Sequence, residues 1–283
     1  MKLITLSGGL GNQMFQYAFY LSLAHRHRHV YLTRQKMLRI RDHNGYELQR
    51  VFGIEMPPAV RRMDAMTCIP VAGKVVCHAL FPLKYRERLQ YNPTANQKVF
   101  CPTPIGTRYV GYWQSEGYFR DVKQQVLDAF CFDEARISER TRSLAADIRS
   151  NPTRFAAVHV RLGDYRKYPD LNSICTPEYY REALQRFLQE RPDARLLLFS
   201  DEPEAAKQML NREADVIDWN HAENSWQDMY LMSLCGGMVM ANSSFSWWGA
   251  YLNPHPQKLV YLPSLWNVRE TSPEVAAEGW HAI

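Results

Sequence analysis

The sequence has no apolar run approaching the roughly 20 residues that a membrane-spanning helix needs. Its longest apolar stretches, Val75 to Leu83 and Leu234 to Ala241, read as core elements. The opening Met1-Lys2-Leu3-Ile4-Thr5-Leu6-Ser7 meets Gly8-Gly9 too soon to form the apolar region of a signal peptide. Cysteine is sparse: six residues at 68, 77, 101, 131, 175 and 235, with no C-x-x-C and no Cys/His spacing suited to zinc. Scattered thiols suit a reducing compartment, so a cytoplasmic protein is expected. No Asp-x-Asp pair occurs, which removes a common two-carboxylate metal clamp. The Gly-Lys-Ser/Thr of a P-loop is missing too.

Charge of one sign is not concentrated. The formal net charge is +5, a mild excess, whereas a nucleic-acid binder presents a dense basic face. The one dense cluster, His25-Arg26-His27-Arg28-His29, falls at the end of a predicted helix and reads as cations at its negative dipole end. No nucleic-acid partner is expected. A peripheral membrane contact stays open for Val75 to Leu83, flanked by Lys74, Lys84, Arg86 and Arg88.

What is present is α/β alternation. Lys2 to Ser7 reads as a strand and Gln13 to His27 as an amphipathic helix, with Asn12 as its N-cap. His29 to Thr33 reads as a second strand. Prolines at 57, 58, 70, 82, 93, 102 and 104 predict short helices and loops through residues 50 to 110. From about residue 154 the alternation resumes, with strands at Phe155–Val160, Leu196–Phe199, Asp215–Ile217, Met238–Ala241 and Leu259–Leu262. Helices are predicted between them, from Pro177, Glu204, Gln227 and Phe245. This pattern predicts a doubly wound parallel sheet whose ligands sit at the carboxyl ends of its strands.

Three polar motifs fall at those ends. Strand Phe155–Val160 runs into Arg161-Leu162-Gly163-Asp164-Tyr165, with His159 and Arg161 on one side by alternation. Arginine offers phosphate oxygens a charged planar fork; an Arg161–Asp164 ion pair that merely anchors a loop is an equal reading. Phe199-Ser200-Asp201-Glu202 places carboxylates where guanine or ribose could donate to them, or simply caps the next helix. Ala241-Asn242-Ser243-Ser244-Phe245-Ser246-Trp247-Trp248-Gly249-Ala250 opens a helix with hydroxyls and free N–H groups. A Ser-capped helix with an aromatic core face explains that pattern as well. A fourth motif, Ser7-Gly8-Gly9-Leu10-Gly11-Asn12-Gln13, has Met14 where a dinucleotide fingerprint needs glycine, and it places Asn12 and Gln13 as neutral donors at a rim.

Together the four motifs, in this order, resemble the bacterial α-1,2-fucosyltransferases of glycosyltransferase family 11. The resemblance implies a GT-B-like fold of two Rossmann-like domains with parallel sheets facing a central cleft. An acceptor-side domain would span 1–150 and a GDP-fucose-binding domain 151–283. It implies inverting transfer of L-fucose from GDP-β-L-fucose to the 2-hydroxyl of a terminal β-galactoside, with no metal or other cofactor. The alternatives are another linkage, α-1,6 or O-linked, and a catalytically silent carbohydrate-binding protein. Arg161 and Asn12 would be catalytic. Donor or acceptor binding would fall to Gly9, Gly11, His159, Asp164, Asp201, Glu202, Ser243, Ser244 and Phe245. Many relatives have a second arginine where this chain has Leu162, and Asp where it has Glu202.

Overall fold

A computed structural model describes residues 1–38, 44–87, 98–268, 270–271 and 274–283. Arg88 lies outside them. The chain forms two compact units, Met1–Phe132 and Asp133–Ile283.

The first unit is built on a four-stranded parallel sheet of β1 (Lys2–Thr5), β2 (Val30–Thr33), β3 (Leu83–Arg86) and β4 (Thr107–Val110), in the order β2-β1-β4-β3. Helix Leu10–Arg26 follows β1 and buries Phe15, Phe19 and Leu23. Phe19 is the hub of that layer: it stacks on Trp113 at 4.3 Å and meets Tyr109 and Tyr118 edge-on. Helices Pro58–Cys68 and Ala72–Leu80 form another layer, where Cys77, Phe81, Met63 and Leu80 pack with Leu3 and Tyr31 of the sheet. The proline-rich stretch therefore holds short helices, as expected, and also two strands that were not. β3 and β4 are too short, with too little alternation, to stand out from their loops.

In the second unit six parallel strands lie in the order β12-β9-β8-β5-β6-β7. They are β5 (Phe155–Val160), β6 (Arg195–Ser200), β7 (Asp215–Ile217), β8 (Gly237–Val239), β9 (Leu259–Leu262) and β12 (His281–Ala282). A two-stranded ribbon, β10 (Leu265–Asn267) with β11 (Glu270–Thr271), lies between the last two in sequence. The chain runs outward from β5 through β6 to β7, then returns to place β8 on the other side of β5. That reversal is a topological switch point, where open α/β sheets bind ligands.

Helix Pro177–Glu190 starts with a Thr176 cap and Pro177 in its first turn, and it packs Tyr180, Ala183, Leu184 and Phe187 into the core. Helix Glu139–Ser150 also belongs to this unit, so the units part at 132/133 and not near residue 150. Ser138 caps that helix through Thr141 N at 3.2 Å, and its own amide donates to Gln227 Oε1 at 2.7 Å.

Candidate active site

β5 is buried along its whole length, and its carboxyl end carries the first motif. His159 is only 4% exposed. Its Nδ1 is buried and has no hydrogen-bond partner among the described residues. Burial first, then the charge of Arg161, pushes the imidazole pKa down to about 3, against a smaller upward pull from Asp201. The ring is therefore neutral at neutral pH. Its centroid lies 6.0 Å from that of Phe245.

Arg161 is gripped by two carboxylates. Its Nε donates to Asp164 Oδ1 at 2.8 Å, its Nη2 reaches the same oxygen at 2.8 Å, and Nε lies 3.2 Å from Asp201 Oδ2. Asp201 also accepts from Leu162 N at 3.0 Å. Asp201 thus couples the ends of β5 and β6; it does not cap the following helix. Gly163 permits this approach, since a Cβ there would stand 2.6 Å from Asp201 Oδ2. Its φ of −34° shows that space, not left-handed backbone, is what glycine provides. Glu202 turns instead to Arg166, with which it forms an ion pair, and its amide donates to Ser200 Oγ.

The third motif is bolted to the first. Tyr165 Oη donates to Asn242 O at 2.9 Å, and burial raises the phenol's pKa. Asn242 Nδ2 donates to Leu171 O and Trp266 O, while Cys175 Sγ donates to its Oδ1 at 3.4 Å. Ser243 caps helix Ser244–Tyr251 by accepting from Phe245 N at 3.3 Å. Ser244 and Phe245 are half-buried, whereas Trp247 and Trp248 are wholly core. The cap and two half-open residues therefore share one turn.

In the first unit, the glycine motif lies between β1 and its helix. Gly8 has φ +79°, and a Cβ there would come 2.5 Å from Asn12 Nδ2. The helix begins at Leu10 with Gly9 at the cap position, so Asn12 is in the first turn and does not cap it. Gly9 is half-buried and Gly11 buried. Asn12 Oδ1 accepts from Gln114 Nε2 at 2.7 Å. Gln13 is not a rim donor: it is fully buried. It donates to Gly8 O and Gly45 O and accepts from Glu47 N.

Gln114 and Glu87 escaped sequence analysis. Glu87 follows β3 and accepts from Tyr112 N at 2.6 Å. A Cβ at Gly111 would collide with its carboxylate at 2.6 Å. Burial pushes the Glu87 pKa up to about 7 despite the opposing backbone N–H groups of residues 112–114. The signal was hidden because both residues stand just past strands that the proline-rich segment concealed.

Two parallel sheets flanked by helices, with an arginine and a helix N-terminus at the switch point of the second, define an α/β class of GT-B-like fold. The fold resembles the crystal structure of NodZ α-1,6-fucosyltransferase co-crystallised with GDP, with a TM-score of 0.51 and 13% identity over 89% of this chain and 92% of that one. The model of glycosyl transferase family 11 matches residues 81–272. An α-1,2-colitosyltransferase of Escherichia coli is 30% identical, covering 94% of this chain and 92% of that protein. The O-antigen biosynthesis glycosyltransferase WbnK of the same organism is 25% identical, covering 97% and 98%. Human galactoside α-(1,2)-fucosyltransferase 1 is 23% identical over 87% of this chain and 64% of its own length. The chain belongs to glycosyl transferase family 11.

Proposed function

We propose that this enzyme transfers L-fucose from GDP-β-L-fucose to the 2-hydroxyl of a terminal β-galactoside, inverting the anomeric centre and using no metal. The observation that carries the reading is Arg161, clamped by Asp164 and Asp201 at the switch point beside neutral His159 and helix Ser244–Tyr251. As the acceptor oxygen bonds to the sugar's C1, the bond from C1 to the diphosphate breaks, negative charge collects on GDP, and the hydroxyl proton passes to the departing phosphate or to water. A fork already held in place stabilises that charge without reorganising. Asp164, Asp201 and Glu202 then serve orientation and nucleoside contact, Ser243, Ser244 and Phe245 phosphate contact, and His159 a neutral hydrogen bond. Asn12 and the Gly9–Gly11 turn supply polar backbone and amide groups on the acceptor side.

Support comes from the GDP complex of NodZ and from the α-1,2 linkage named in two of the relatives. A second reading is favoured by the colitosyltransferase relative: transfer of the corresponding 3-deoxy sugar, colitose. The test is competition between GDP-fucose and GDP-colitose on lactose, with chelator present and product linkage read by NMR. An α-1,2-fucosylated product as the main outcome supports the proposal. Preference for colitose would replace it with the second reading, another linkage would overturn the regiochemistry, and loss of activity with chelator would overturn metal independence.

A further inference from the structure

The helices Pro58–Cys68 and Ala72–Leu80 are joined by Ile69-Pro70-Val71. Ala72 N donates to Pro70 O at 2.7 Å, while Val71 has φ 64° and ψ −63°. This is the strained three-residue γ-turn, here centred on a β-branched residue, for which positive φ is especially costly. The strain turns valine outward: Val71 is 75% exposed, Ile69 51% and Val75 64%. Met66, on the preceding helix, and Leu83, at the start of β3, are exposed too. Strain of this kind persists where the surroundings impose it, and it concentrates at functional positions.

The segment that bears this turn, between Glu55 and Glu87, is rich in basic residues. Between residues 56 and 86 the sequence carries Arg61, Arg62, Lys74, Lys84 and Arg86 and a single acid, Asp64. Asp64 is buried and bound to Arg34 at 2.7 Å. All five cations are exposed, and none forms an ion pair among the described residues. Lys84 also lies close enough to Arg86, Arg108 and Lys36 for their charges to act on it. A protein partner would need a pocket shaped to Ile69, Pro70 and Val71. A lipid headgroup layer needs none: apolar side chains enter it while lysine and arginine stems reach phosphates around them.

We propose that the segment 58–86 docks this protein on an anionic lipid bilayer, with Ile69, Pro70 and Val71 entering the headgroup layer and Arg61, Arg62 and Lys74 meeting lipid phosphates. No helix among the described residues is long and apolar enough to cross a membrane, so this contact is peripheral. The inference does not depend on which sugar is transferred.

Purified full-length protein is sedimented with vesicles of phosphatidylcholine alone and of phosphatidylcholine mixed with phosphatidylglycerol. Binding to the anionic vesicles only, reversed by high salt, is expected. Val71→Asp, and separately Arg62→Glu with Lys74→Glu, should each weaken binding about fivefold or more, with unfolding midpoints close to wild type. Arg140→Glu, a charge reversal in the other unit, should leave binding little changed and controls for net charge. Equal binding to neutral vesicles, no binding, or binding indifferent to these variants would overturn the proposal. So would self-association in solution that Val71→Asp abolishes, since the turn would then be a protein interface.

Discussion

Gln114 Nε2 donates to Asn12 Oδ1 across 2.7 Å, and this bond fixes the orientation of the Asn12 amide. With its oxygen occupied, Asn12 presents Nδ2, folded against Gly8. Gln114→Leu should leave the fold intact and lower kcat by about tenfold, the order expected for loosening one positioned group. Asn12→Ala should cost more. Steady-state kinetics check this; an unchanged kcat in Gln114→Leu would remove the positioning role.

Arg161→Lys keeps the charge and loses the fork that two carboxylates hold. A rate loss of about 10²–10³ is expected, with weaker GDP binding by calorimetry. Asp201→Asn should share part of the loss, because the Leu162 amide and Arg161 both use that carboxylate. Near wild-type transfer by Arg161→Lys would refute leaving-group stabilisation by this side chain.

His159 gives a sign to the acid response. Its pKa falls from 6.5 to about 3 on folding because burial disfavours the cation. The unfolded chain therefore binds more protons between those values, and the stability tied to neutral His159 is full above about pH 6.5. It drains away as pH falls toward about 3, by up to about 1.4 kcal/mol per pH unit. His159→Gln should flatten that part of the stability profile in denaturant titrations. A profile identical to wild type would contradict a neutral buried imidazole.

Glu87 works in the opposite direction. Its pKa rises from 4.5 to about 7 through burial, so the folded unit binds the extra proton. Its contribution to stability is complete below about pH 4.5 and is lost as pH climbs through about 7. Glu87→Gln should remove that alkaline decline while keeping an acceptor for Tyr112 N. Denaturant midpoints measured across this range decide it, and an unchanged decline would place the titration elsewhere.

Much of the second unit was legible in the sequence because its strands are short apolar runs ended by polar residues. Phe155–Val160, Asp215–Ile217 and Leu259–Leu262 have the predicted bounds. The Arg161 motif announced itself by residue type. Its second partner did not: Asp201 read as a nucleoside contact or a helix cap, and only the pairing of Val160 with Ser200 brings it beside Leu162. In the first unit, prolines concealed β3 and β4, and with them Glu87 and Gln114. Gln13 looked like a free amide because burial of a polar residue through three backbone bonds leaves no periodic trace.

Asn242 holds the ribbon strand at Trp266, the short helix at Leu171 and the thiol of Cys175 through one amide, while Ser244 and Phe245 beside it remain half-open. The frame and the face it presents are thus carried by different side chains. With the loop anchored by Asn242, exchanging the half-open Ser244 or Phe245 leaves the hydrogen bonds that hold it untouched.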